Sequence, residues 1–237
     1  MSEKGRKIRI AIIDSGIDTQ ISDLKESVIK STGYGINNKG YIEENKNMPV
    51  RNLHGTTVAM IIRCICRDVE LISVNILDEN LMADGRVFVN SLSQVFDDFP
   101  DIIHMSLGTL KKKYIIPLHK IVKEAKKLNI PLVAATNNSG KTSYPAYLTG
   151  VFGVKSDLLD NYKQYYYQRG FFYAPIGTEG IDCIQEISSI KNAKGTSIAA
   201  AYITGHLAVL LKNNQNLSLK EAKAALIQGD YRRGVIK

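Results

Sequence analysis

Residues 8–13, Ile-Arg-Ile-Ala-Ile-Ile, form an almost unbroken apolar run rich in β-branched side chains, and an acid, Asp14, closes it. Such a run suits a strand buried on both faces of a parallel sheet; a half-exposed strand would alternate apolar and polar. Comparable short runs recur at 69–77, 102–107 and 130–135. Between them, apolar positions fall at helical spacing. Residues 58–62 read as a buried helix, 88–96 as a second helix and 116–128 as an amphipathic one. This alternation predicts a three-layer α/β fold with a mainly parallel central sheet. Residues 31–53, rich in Gly, Asn and Lys, read as a loop or hairpin.

Beyond Gly140 the pattern is less regular. Short strands are expected at 151–154 and 171–174. The tyrosines Tyr162, Tyr165, Tyr166 and Tyr167 read either as a peptide-contacting surface or as ordinary packing. A small-residue apolar helix is expected from Ser197 to about residue 212. Ser218-Leu219-Lys220-Glu221 is a capping-box pattern that opens a last helix. With no repeat, low-complexity tract or linker, the 237 residues read as a single domain over 1–237, with its core at about 8–229.

Composition narrows the class. Apolar content of 44% and charged content of 23% suit a globular protein, and no apolar run reaches membrane-spanning length. The first seven residues are charged and lack an apolar signal-peptide core, so a cytoplasmic protein is expected. The three cysteines, Cys64, Cys66 and Cys183, then read as reduced. No metal-ligand spacing is visible, and no cofactor or metal is expected. The net charge of +8 is spread along the chain, with one tight run at Lys111-Lys112-Lys113. No aromatic–basic motif accompanies it, so it reads as a solvated surface favouring acidic partners, with neither nucleic acid nor membrane as a ligand.

Four short blocks carry candidate chemistry. Gly195-Thr196-Ser197 opens a helix, where unpaired N–H groups and the positive end of the macrodipole favour developing negative charge. Asp14 ends a buried strand, where open α/β sheets place their sites. His54 precedes Gly55-Thr56-Thr57-Val58-Ala59. Asn138 lies in Thr136-Asn137-Asn138-Ser139-Gly140. Each has an ordinary reading of its own: a helix cap for Ser197 or His54, a strand-end carboxylate for Asp14, a turn residue for Asn138.

Together, in the order Asp…His…Ser, the blocks resemble the subtilisin-like serine proteases over nearly the whole chain. Met105-Ser106-Leu107-Gly108 is similar to that family's substrate-binding strand, and Ser143-Tyr144-Pro145-Ala146 to a segment after its oxyanion asparagine. The resemblance implies an intracellular serine endopeptidase in which Asp14 orients His54, His54 takes the proton of Ser197, and Asn138 donates to the oxyanion. It implies substrate contacts at Ser106, Leu107 and Gly108, an opposite cleft wall at 83–86, and a small neutral pocket from Ala134, Ala135, Ser139 and Ser143. His104, His119 and His206 read as structural or surface residues. The family usually has His at Thr57, Gly at Asn137 and Pro at Ala201, so a shifted oxyanion turn is an expectation to test. No propeptide or calcium loop is expected. The substrate implied is an acidic peptide or protein precursor, such as the leader of a ribosomally made peptide. The competing readings are a housekeeping protease and a catalytically decayed binding protein on the same fold.

Overall fold

The first apolar run forms strand β1 (Ile8–Asp14), and its side chains are buried on alternating faces. Ile8, Ile10 and Ile12 enter one core, and Ala11 and Ile13 enter the other. The computed structural model describes residues 6–21, 24–181, 184, 190, 192–214 and 216–233. The remaining strands are β2 (Val28–Ile36), β3 (Ile42–Glu44), β4 (Val69–Asn75), β5 (Ile102–Met105), β6 (Leu132–Ala135), β7 (Phe152–Asp157), β8 (Tyr166–Gln168) and β9 (Phe171–Pro175). They make one sheet in the order β3-β2-β4-β1-β5-β6-β7-β9-β8. Among the described residues only β3 and β8, at its edges, pair antiparallel with their neighbours; the interior pairs are parallel.

Helices cover both faces, as the alternation predicted. On one side lie α1 (His54–Ile65), α4 (Thr196–Asn213) and α5 (Leu219–Gln228), which bury Val58, Ile61, Ile62, the residues 198–203, Leu207 and Leu226 against the sheet. On the other lie α2 (Gly85–Gln94) and α3 (Ile115–Lys127), with Phe88, Leu92, Leu118 and Ile121 turned inward. The Ser218 capping box is present: the Ser218 side chain accepts from Glu221 N, and the Glu221 carboxylate accepts from Ser218 N.

Strand β1 lies between β4 and β5. The chain builds one half of the sheet through β4, then crosses to build the other half from β5. Beside such a reversal the strand ends leave a crevice. Register brings Asp14 level with Asn75 and Ile13 level with Met105, so Asp14 and the following Ser106 share that edge.

The hairpin expected within 31–53 is present as β2 and β3, paired antiparallel from Tyr34–Glu44 to Ile36–Ile42, whereas the start of β2 and all of β8 lie outside the expected strands. The first half of β2 is exposed, which hid its parallel pairing with β4. β8 falls in the tyrosine cluster. Tyr166 stacks on Tyr173 with ring centroids 4.7 Å apart, and Tyr165 is buried with its hydroxyl donating to Leu226 O at 3.0 Å. Packing therefore accounts for those two tyrosines. The cysteine expectation also needs correcting. Cys64 is disulfide-bonded, whereas Cys66 is a free buried thiol, and Cys183 lies outside the described residues. The redox compartment does not decide which sulfurs the fold brings together.

Candidate active site

Two helix N-termini and one strand end meet at the crevice. Helices α1 and α4 pack directly on each other. They approach closely because position 205 has no side chain: a Cβ there would stand 2.8 Å from Cβ of Ile65. His54 is the first residue of α1, and Ser197 is the second of α4. The start of α1 is tied to the end of β1 by Gly55 N donating to Ser15 Oγ (3.0 Å) and Ser15 Oγ donating to Asn52 O (2.7 Å). A side chain at Gly55 would meet Gly16 O at 2.3 Å and Asp14 Cβ at 3.1 Å, so glycine is what allows this approach.

The result is a close acid–imidazole pair. His54 Nδ1 is 2.8 and 2.9 Å from the two carboxylate oxygens of Asp14. Asp14 is buried, while His54 keeps about a fifth of its side chain open at 19%. Burial alone would raise the Asp14 pKa. The His54 charge and the hydrogen bonds from His54, Ser106 and Ser15 N outweigh it and hold the carboxyl below its ordinary value. Burial likewise works against a charged His54, but the Asp14 charge and hydrogen bond raise its pKa above 6.5.

Ser197 Oγ donates to the main-chain carbonyl of Ser106 at 2.8 Å. Its own N–H lies in the first turn of α4, where the helix supplies no acceptor. Gly195, with φ 139°, adopts a backbone that favours glycine and starts this helix. Asn138 lies opposite. Its Oδ1 accepts from Thr196 N at 2.9 Å and lies 3.0 Å from Thr196 Oγ1, which leaves the amide end of the side chain outward. The left-handed position of this turn is Gly140 (φ 74°), so a side chain at Asn137 does not strain it. Instead Asn137 Oδ1 accepts from Ser139 N at 2.8 Å.

Residues 5–170 match the model of the Peptidase_S8 subtilase family. This chain belongs to the subtilase family. It is a serine-type peptidase, a hydrolase, acting on peptides or proteins. A relative is the major intracellular serine protease of Bacillus subtilis (strain 168), 27% identical over 95% of this chain and 76% of that protein. Among solved structures, sphericase superposes with a TM-score of 0.72 at 21% identity over 94% of this chain and 83% of its own. A lanthipeptide protease superposes with a TM-score of 0.69 at 23% identity over 93% and 79%. Among the described residues no helix of this subtilase is long and apolar enough to cross a membrane.

The expected substrate residues fall into two groups. Ser106, Leu107 and Gly108 run out from β5 and become progressively exposed, and Thr109 then pairs with Tyr144 through bonds of 2.8 and 2.9 Å. Ser143 is buried beside Gly108 with its Oγ unpartnered. Ala134 and Ala135 depart from the expectation. Their methyl groups are enclosed in the two opposite core layers, because both faces of β6 are covered. Residues 83–86 start α2 against the ring of Tyr114. From this loop it is Leu81 that reaches the cavity of about 640 Å³ holding His54, together with Arg51, Asn52, Thr57 and Ile190. Of the other histidines, His119 is exposed, and burial lowers His206 to about 4. His104 is wholly buried at the end of β5, next to the site. This agrees with the structural alternative expected for it, and a histidine inside an apolar strand carries no motif that would say more.

Proposed function

We propose that this subtilase is a cytoplasmic serine endopeptidase in which Asp14, His54 and Ser197 form the triad, with Asn138 and Ser197 N–H as oxyanion donors. The observation that carries this reading is the close pairing of buried Asp14 with Nδ1 of His54, whose side chain stays about one-fifth open at 19%. That contact fixes the imidazole tautomer so that Nε2 is the free base.

An extended substrate lies along 106–108 by strand addition and offers a backbone N–H to the Ser106 carbonyl. The Ser197 hydroxyl, displaced from that carbonyl, turns to His54 Nε2. His54 takes its proton as Oγ attacks the scissile carbonyl, and the oxyanion is met by Asn138 and Ser197 N–H. His54 then gives the proton to the leaving amine. Water, activated by the same imidazole, hydrolyses the acyl-enzyme and restores Ser197.

The substrate we infer is an acidic peptide or precursor segment cut at limited positions, as in leader removal. Lys111, Lys112 and Lys113 are exposed just beyond the substrate segment, and Arg51 is exposed in the His54 cavity. These cations raise the encounter rate of an acidic chain. Cleavage of matched acidic, neutral and basic peptides tests the reading: the acidic peptide should have the highest kcat/KM at low salt, and the advantage should fade as salt rises. A preference for the basic peptide would overturn it and point to the adjoining cavity lined by Glu43, Glu44 and Asp78.

A further inference from the structure

The sheet buries a second histidine beside the site, and the reaction described above makes no use of it. His104 Nε2 is 2.9 Å from the Ser106 hydroxyl, and its Nδ1 is 2.8 Å from the hydroxyl of Thr204 on α4. Ser106 in turn hydrogen-bonds the Asp14 carboxylate. Thr204, His104, Ser106 and Asp14 therefore make one line that ends on the carboxylate holding His54.

Each hydroxyl has one proton to give, and so does a neutral imidazole, so the line has two self-consistent polarities. In the first, His104 is protonated on Nε2 and donates to Ser106. The Ser106 proton then goes to Asp14, and the Thr204 hydroxyl donates to Nδ1. In the second, His104 is protonated on Nδ1, and Thr204 donates to Ala200 O, 2.9 Å away. Ser106 must then donate to Nε2, which turns a lone pair on a buried carboxylate and forfeits a charge-assisted hydrogen bond. The first polarity costs little at Ala200, whose carbonyl lies within α4 and already accepts a backbone N–H. A doubly protonated imidazole would satisfy every partner but would be a buried cation. Burial holds His104 at about 4, with Asp14 and His54, the charged groups facing it, pulling in opposite directions.

The geometry points to His104 as a positioning residue: as the neutral Nε2–H tautomer it directs the Ser106 hydroxyl onto Asp14 and so braces the carboxylate that orients His54. Its catalytic consequence rests on the triad reading above, whereas the tautomer itself does not.

Nitrogen NMR of protein labelled with ¹⁵N-histidine tests the tautomer. Between about pH 5 and 8, His104 should show a protonated Nε2 and an unprotonated Nδ1. Protonated Nδ1, with or without Nε2, overturns the proposal. Kinetics test the consequence. Ser106→Ala and His104→Leu should each lower kcat by about ten-fold, the scale of one hydrogen bond to a charged group, with little change in KM. His104→Leu should add nothing in the Ser106→Ala background, and His104→Gln, which keeps a donor of similar reach, should recover most of the loss. Multiplicative losses in the double variant, or an effect on KM alone, overturn it. If His104→Leu does not fold, His104→Gln and the spectrum still decide. Failure of the triad reading would register elsewhere, as activity persisting in Ser197→Ala with the His104 tautomer unchanged.

Discussion

The Ser197 hydroxyl donates to the Ser106 carbonyl at 2.8 Å, so in the free protein its proton is held by the segment that follows β5. A substrate N–H competing for that carbonyl would release the hydroxyl toward His54. Ligand binding and nucleophile activation are then one event. A substrate analogue lacking that N–H should lose kcat as well as affinity, because Ser197 stays engaged. Pre-steady-state kinetics on an ester or N-methylated analogue checks this; a change confined to KM would contradict it.

Asn138→Ala should lower kcat by about 10²–10³ with KM nearly unchanged, the loss seen when one oxyanion donor is removed from a subtilisin. Steady-state kinetics on a peptide substrate makes the check. A rise in KM at constant kcat would make Asn138 a substrate-binding residue.

The pH profile follows from His54. Its pKa is raised above 6.5 by Asp14, and only the neutral imidazole accepts the serine proton. Activity should therefore rise with pH, with a midpoint above 6.5. Asp14→Asn removes the charge that raises it, so the midpoint should fall and kcat should drop by about 10⁴. The pairing also bears on stability. A raised His54 pKa contributes stability that is complete below 6.5 and is lost as pH rises through the folded value. A lowered Asp14 pKa contributes stability that is present above 3.8 and is lost as pH falls through its folded value. Unfolding titrations of the wild type and of Asp14→Asn measure both.

Gly55→Ala should destabilise the fold and the site together. Its Cβ would lie 2.3 Å from Gly16 O and 3.1 Å from Asp14 Cβ, so α1 must move away from β1. A loss of about 1–3 kcal/mol in stability is expected, the usual cost of overpacking, with a parallel loss of kcat. Denaturant unfolding and kinetics on the same preparation check it.

The parts of this fold legible in the sequence are those where a single physical requirement writes the residues. Strand β1 is covered on both faces, so 8–13 is apolar at every position but Arg9, which pairs with Glu70. Asp14, His54, Asn138 and Ser197 lie in short motifs because each sits at a strand end, a helix start or a turn. The parts that escaped depend on distant partners. β2 is exposed over its first half, where its pairing is with distant β4. Ala134 and Ala135 look like pocket residues by size, but a layer on each side of β6 encloses them. His104 finds its hydrogen-bond partners in Ser106 and in Thr204, and 100 residues separate it from Thr204.

Covalent labelling tests the central claim, that Asp14 and His54 activate Ser197, most directly. A fluorophosphonate probe reacts with an activated serine, and intact mass with peptide mapping locates the adduct. One adduct per chain on Ser197 is predicted. It should be absent from Ser197→Ala, whose peptide hydrolysis should fall by about 10⁶, and strongly slowed in His54→Ala. An unlabelled wild type, an adduct elsewhere, or undiminished hydrolysis by Ser197→Ala would contradict the account.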